Sequence, residues 1–164
     1  MIILRDSREQ TPWTFDFYDC DTEVTTIKYG DYTIKGMEDL VRIERKASTG
    51  EIHNNLCTKI GYRRFTRELA ELQKSVESVF ILCEFPQSYM NTFPENSGIP
   101  KTRKSKGKII NNWPKTTAKF LRKRSYEIQE EYGVKIIYCD TPSSAEGVAY
   151  KILKEKHDQN RESS

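Results

Sequence analysis

The sequence predicts a single α/β domain with a central mixed β-sheet flanked by helices, spanning about residues 1–156 of 164. Three observations carry this expectation. Short runs rich in β-branched residues alternate with longer segments of helical period, the pattern of a layered α/β fold. Tyr32–Ile34 and Leu40–Ile43 flank Lys35-Gly36-Met37-Glu38-Asp39, which reads as a hairpin turn and therefore as an antiparallel pair. Val79 to Phe85 is apolar except for Glu84, as expected of a strand covered on both faces.

Taken in order, Ile2–Leu4 is the first expected strand. Ser7 to Tyr18, with Pro12 and alternating aromatics, reads as a loop, and the β-branched run Val24 to Lys28 as a strand. After the hairpin, a helix begins behind Ser48, which forms a capping-box pattern with Glu51, and runs to about Ile60. A second helix covers Tyr62 to Lys74, with Phe65, Leu69 and Leu72 on one face. Residues 86–112 hold Pro86, Pro94, Gly98, Pro100 and Gly107 and are expected to form a long, irregular, basic insertion. Pro114 suits the first turn of a helix over about 114–132, striped by Leu121, Ile128 and Tyr132 and ended by Gly133. Val134 to Cys139 is the last strand. Ser143 or Ser144 caps a final helix to about Lys156, and 157–164 is a polar tail.

An apolar fraction of 36% against 31% charged residues supports one modest core. No stretch nears the roughly 18 apolar residues of a membrane span, and the N-terminus meets Arg5 without a signal-peptide apolar core, so an intracellular protein with no membrane partner is expected. Cys20, Cys57, Cys83 and Cys139 form no C-x-x-C pair, which argues against zinc and for reduced thiols. His53 and His157 are too few and too scattered for a histidine-based site. The net charge of +3 conceals a segregation, because residues 101–124 hold ten Lys/Arg and no Asp/Glu while the rest holds 17 basic and 24 acidic residues. Such an imbalance points to a polyanionic partner. Its candidate contacts are Lys101, Arg103, Lys104, Lys106 and Lys108 in the insertion, and Lys115, Lys119, Arg122 and Lys123 in the following helical segment; a merely solvated loop is the plainer alternative.

The chemistry is concentrated in Gly30-Asp31-Tyr32 and Ile43-Glu44-Arg45-Lys46. A turn centred between Met37 and Glu38 places position 31 directly across from position 44, where cross-strand Cβ atoms stand about 4.5–5.5 Å apart. Two carboxylates so placed repel, and a divalent cation between them removes the penalty. Lys46 lies two residues beyond Glu44 and projects from the same face, whereas Arg45 points to the other face with its carbonyl still available to a metal. Two acids and an ammonium converging at a strand end suit hydrolysis of a phosphodiester assisted by Mg²⁺ or Mn²⁺, with Lys46 orienting or deprotonating the water.

Asp6-Ser7-Arg8-Glu9, Gly30-Asp31-Tyr32 and Glu44-Arg45-Lys46, in this order, resemble the XPF-type structure-specific endonuclease domain of the PD-(D/E)XK restriction-like nucleases. The resemblance implies a restriction-endonuclease-like sheet, with Asp31 and Glu44 as ligands of Mg²⁺ or Mn²⁺, Lys46 serving the water, Arg45 beside them, and Asp6 and Arg8 lining the same site. Arg64 stands about where the family has an arginine in its second helix. The family's last aspartate falls on Gly50 here, and Glu51 is the candidate replacement as a metal ligand. The expected protein is a DNA endonuclease acting on branched or otherwise structured DNA in repair, recombination or DNA processing, leaving 5′-phosphate and 3′-hydroxyl ends. It lacks the tandem helix-hairpin-helix domain of many members, and it works as a homodimer or with a partner subunit.

Simpler readings stand beside these. Asp31 is also a natural turn residue after Gly30, and Glu44 and Lys46 also suit the wet face of an edge strand. Asp6 and Arg8 could form a structural ion pair, and capping alone accounts for Glu51. Glu84 reads equally as a rim residue, His53 as packing, and Trp113 as packing rather than a base-stacking platform. The alternative to an enzyme is a non-catalytic DNA-binding module with a nuclease-like fold, against which the retention of Asp31, Glu44 and Lys46 speaks.

Overall fold

In the computed structural model, which describes residues 1–163, the chain begins with β1 (Ile2–Asp6), β2 (Asp21–Thr25), β3 (Tyr32–Ile34) and β4 (Val41–Lys46). Helices α1 (Thr49–Cys57) and α2 (Lys59–Ser75) then lead into β5 (Ser78–Cys83). After α3 (Ser88–Asn91) come β6 (Thr102–Ser105) and β7 (Lys108–Asn111), followed by α4 (Ala118–Tyr132), β8 (Lys135–Tyr138) and α5 (Pro142–Ser163). Six strands make one mixed sheet in the order β2-β1-β3-β4-β5-β8. β3 runs antiparallel to both β1 and β4, while the β1–β2, β4–β5 and β5–β8 pairs are parallel. This is the predicted α/β class.

The side chains of successive strand residues alternate between two cores. Val79, Ile81 and Cys83 of β5 pack with Ile52 and Leu56 of α1, Phe65, Leu69 and Leu72 of α2, and Leu121 and Ile128 of α4. Ile3, Tyr32, Ile34, Val41, Ile43 and Leu82 pack on the opposite side under Ala145, Ala149 and Leu153 of α5, with Trp13 and Phe15 from the loop after β1. Trp13 stacks on Tyr32 with ring centroids 4.7 Å apart. All four cysteines are free, and among the described residues no helix is long and apolar enough to cross a membrane.

Several expected boundaries move, each for a visible reason. The break between the first two helices falls at Thr58 rather than at Ile60–Tyr62. Its hydroxyl donates to the Asn54 carbonyl at 2.7 Å and accepts from Gly61 N at 3.2 Å, so one residue ends α1 and caps α2. The second strand forms at Asp21–Thr25 rather than at Val24–Lys28, since β1 pairs it from Ile2↔Asp21 onward. Pro114 lies outside α4, whose cap is Thr117 accepting from Phe120 N. The last helix starts at Pro142, with the Thr141 hydroxyl accepting from Ser144 N, so neither Ser143 nor Ser144 is its cap. It continues through Ser163, past the expected end at Lys156, and Ser164 of the expected tail lies outside the described residues.

The insertion is not irregular. It holds α3 and an antiparallel ribbon in which Thr102↔Asn111 and Ser105↔Lys108 pair across a two-residue turn. Lys106 and Gly107 at that turn have φ of 48° and 78°, the positive values a type I′ hairpin turn needs at both positions.

Glu84 is buried and joins three elements. Its carboxylate accepts from Trp13 Nε1 at 2.7 Å and from Arg45 Nε and Nη2 at 2.7 and 2.9 Å. Removing one partner of such a pair leaves a poorly solvated charge, at a cost of about 3–5 kcal/mol. Glu84→Ala is therefore expected to lower unfolding free energy by that order in urea titration. A loss below about 1 kcal/mol would show that the Arg45 guanidinium finds equivalent solvation elsewhere.

Candidate active site

The hairpin register holds as the sequence predicts. Tyr32 pairs with Ile43, so Asp31 sits across from Glu44 at the mouth of the β3–β4 ladder, on the face covered by α1 and α2. Asp31 is fixed through its main chain as well as its side chain. Its N–H donates to the Ile43 carbonyl at 2.8 Å, its own carbonyl accepts from Asp6 N at 2.8 Å, and its Oδ2 accepts from Arg45 N at 2.7 Å.

Lys46 is buried at the end of β4, with Nζ donating to Glu44 Oε1 at 2.6 Å and standing 5.3 Å from the centre of the Phe65 ring. Burial works to lower its pKa, but the charge and hydrogen bond of Glu44, with the charges of Asp31 and Glu51, together raise it. Lys46 is thus a fixed cation. Asp31 moves the other way to the usual carboxylate: burial and then the Glu44 charge push its pKa up to about 8, against the Arg45 N–H and Lys46.

The remaining residues of the motif act around this pair. Arg45 does point to the opposite face, where Nη1 reaches Glu9 at 3.0 Å, Nη2 reaches Thr11 at 3.0 Å, and both Nε and Nη2 hold Glu84. Asp6 and Arg8 form an ion pair, with Arg8 Nε 2.8 Å from Asp6 Oδ2 and Nη2 also bonded to the Ile27 carbonyl. Burial opposes ionisation of Asp6, but these bonds outweigh it and hold its pKa below the usual value. The pair clamps the strand next to Asp31, so its structural reading accounts for what both side chains touch.

Glu51 caps: Ser48 Oγ accepts from Glu51 N at 3.3 Å, and Glu51 Oε2 accepts from Ala47 N at 3.0 Å. Among the described residues no three His, Cys, Asp or Glu side chains converge as a ready-made metal cage. The donor set is two carboxylates on neighbouring strands beside a buried ammonium. That fits a small hard cation such as Mg²⁺ or Mn²⁺, which keeps several waters and takes one or two carboxylates with substrate oxygens. It does not fit a closed zinc or calcium cage.

The sequence reading missed two residues of this region. Glu68 on α2 lines a small cavity with Glu44 and Phe65, and burial with the Glu44 charge raises its pKa. Asn55 on α1 is buried at 7% exposure and lines a groove next to Lys46. Glu68 follows Arg64 by one helical turn on the flank of the Phe65 stripe, and that spacing was the available signal; Asn55 gave none.

The basic candidates spread over three elements. Arg103, Lys104 and Lys108 lie on the β6–β7 ribbon, Lys106 at its tip and Lys101 at its base, where Nζ stands 4.8 Å from the Trp113 ring centre. Lys115 precedes α4, and Lys119, Arg122 and Lys123 are exposed on it; Arg122 reaches Asn91 and Lys123 pairs with Glu127 at 3.5 Å. Arg64 is exposed on α2 and lines the groove beside Lys46. None of the ribbon or α4 candidates has a hydrogen bond or ion pair to Asp31, Glu44 or Lys46 among the described residues. His53 stacks on Phe93 and bonds Thr116, a packing role.

Solved structures share the overall fold of this chain. XPF from Aeropyrum pernix shares the fold with a TM-score of 0.64 at 16% identity, over 97% of this chain and 68% of that one. XPF from Aeropyrum pernix in complex with DNA does so with a TM-score of 0.63 at 17% identity, over 96% of this chain and 66% of that one. The chain thus spans about two thirds of the length of each. No curated protein sequence matches it. The match to the ERCC4 domain family runs over residues 5–152, from the clamp at Asp6 past both motif strands and into α5, and the chain belongs to the ERCC4 domain family.

Proposed function

We propose that this protein is a metal-dependent DNA endonuclease that hydrolyses phosphodiester bonds in branched or otherwise structured DNA within the cell. The observation that carries the reading is the confrontation of Asp31 and Glu44 across one strand pair with Lys46 buried against Glu44. Family membership and a relative solved with DNA support it. Asp31 and Glu44 would hold Mg²⁺ or Mn²⁺, which when bound lowers the pKa of a water and neutralises charge on the phosphate. Lys46, kept cationic by its carboxylate neighbours, serves better as an electrostatic support for the pentacovalent phosphate and an orienter of water than as a base. Arg45 contributes from the far face by fixing Asp31 through its N–H.

End-labelled duplex, single-stranded, splayed-arm, flap and four-way-junction DNAs incubated with Mg²⁺, Mn²⁺ or EDTA test this directly. Metal-dependent cutting is expected on a branched member, abolished by Asp31→Asn and reduced by roughly 10²–10³ in Lys46→Ala. DNA binding with no cutting of any member would favour a catalytically silent DNA-binding module.

The crowded carboxyl gives a second test. In the metal-free fold Asp31 keeps its proton up to about pH 8, whereas the unfolded chain releases it near the ordinary value of 3.8. The folded state then binds more protons between those values, so this group's contribution falls as pH rises through that window and levels off above it. Thermal melts in EDTA are expected to show that decline in the wild type and less of it in Asp31→Asn. Mn²⁺ at pH 8 should restore stability to the wild type only, and equal stabilisation of both proteins would remove Asp31 from the metal site.

The ribbon is the proposed duplex grip. Changing Lys101, Arg103, Lys104, Lys106 and Lys108 to Gln is expected to weaken binding to any DNA and to flatten the salt dependence, by about 0.9 in the log–log slope for every phosphate that is no longer neutralised. An unchanged slope would place the DNA elsewhere.

A further inference from the structure

We propose that the groove beside Lys46 is a seat for one unpaired nucleotide of the strand being cut, with Asn55 reading its base. The groove has a volume of about 450 Å³. It is walled by Ser48, Gly50 and Glu51 at the start of α1, by Asn54 and Asn55 further along it, by Arg64 of α2, and by the segment from Ser97 to Pro100, and Lys46 also lines it.

The wall is built. Gly50 N donates to the Ser97 carbonyl at 3.2 Å, and a Cβ at position 50 would collide with that same oxygen. Ser97 is itself buried, and its hydroxyl accepts from Ile99 N at 3.2 Å. The segment can lie this close to α1 only because position 50 is glycine, where the family resemblance places an aspartate. The chain has exchanged a carboxylate for a second wall.

Asn55 says what the groove holds. It is 93% buried, and among the described residues its side-chain amide has no hydrogen-bond partner, although it faces the groove. Its amide atoms are not fully enclosed, so they meet the solvent of the groove and are open to the polar groups of a ligand. Carboxamides carry both a donor and an acceptor, which complement the edge of a base. The charges order the rest of the ligand. Arg64 and Lys46 are the cations at the groove, so the phosphate lies toward them. Glu51 turns its carboxylate to Ala47 N and disfavours a phosphate on its own side, which leaves the base toward Asn54 and Asn55.

The volume of the groove matches one nucleotide better than a base pair. The DNA must therefore present that nucleotide unpaired and unstacked, as flaps, splayed arms and junctions do and intact duplex does not. This deepens the nuclease reading and rests on it for the identity of the bound strand.

The test needs no catalysis. Binding of the full chain to a short single-stranded DNA in EDTA is measured by fluorescence anisotropy, with one abasic site moved along the strand. The wild type is expected to lose roughly 5- to 100-fold in affinity when the abasic site occupies one particular position, and little elsewhere. Asn55→Ala should bind the intact strand as weakly as the wild type binds that abasic one, and should be indifferent to the abasic site. Pro100→Trp, on the exposed rim, should do the same by filling the groove and leaves the core untouched should Asn55→Ala fail to fold. A wild type with no sensitive position, or sensitivity that persists in both variants, overturns the proposal. Cleavage of the same strands with Mg²⁺ is scored separately: position-dependent binding without cutting keeps the seat and removes the nuclease reading, whereas cutting with no dependence on the base does the reverse.

Discussion

Arg45 ties both faces of the sheet together. Its backbone N–H holds one oxygen of Asp31, while its guanidinium reaches through the other face to Glu84, Glu9 and Thr11. Glu84 in turn holds the Trp13 indole, which stacks on Tyr32, the residue next to Asp31. The chain of contacts thus starts at Asp31 and ends at its neighbour in the sequence. Because alternate residues of a strand face opposite ways, Glu44 and Lys46 are presented to α1 and α2 by the strand that sends Arg45 under α5. Rigidity on the Arg45 side of the sheet sets the position of the candidate site groups on the other side.

The electrostatics of the pair follow from that rigidity. Two carboxylates free to move would part and dissolve their repulsion in water. Asp31 is held by main-chain bonds on both sides, and Glu44 is held by Lys46, so neither can withdraw. The strain appears as a carboxyl that resists ionising and an ammonium that resists losing its proton. A positive charge between the acids would relieve the first and ease the hold on the second, and in that physical sense the pair of acids is arranged to favour a cation.

Much of this was legible in the residues because it depends on short-range rules. The 31-to-44 register follows from the hairpin turn and the strand period, the Ser48 cap from a three-residue spacing, and the Phe65-Leu69-Leu72 stripe from the helical period. What was not legible depends on partners far apart in the chain. Glu84 reads as a rim residue until Trp13, 71 positions away, and Arg45, 39 away, are found against it. The ribbon was missed because its turn is Lys-Gly, without the Asn-Gly or Asp-Gly that announces a type I′ hairpin, and because basic residues leave only Ile109-Ile110 as a β-branched run in its two short strands. Asn55 was invisible for a third reason: an amide's significance lies in the bonds it lacks, and only packing reveals those.

The β6–β7 ribbon stands apart from the six-stranded sheet, so both of its outer edges carry unpaired peptide groups. Open edges invite pairing with another chain, and Ile109, 72% exposed, would make such pairing adhesive. Arg103, Lys104 and Lys108 along the strands and Lys106 at the tip keep like edges apart by repulsion. The same cations proposed above to grip nucleic acid therefore also oppose edge-to-edge pairing of two ribbons, and raised salt weakens both effects together.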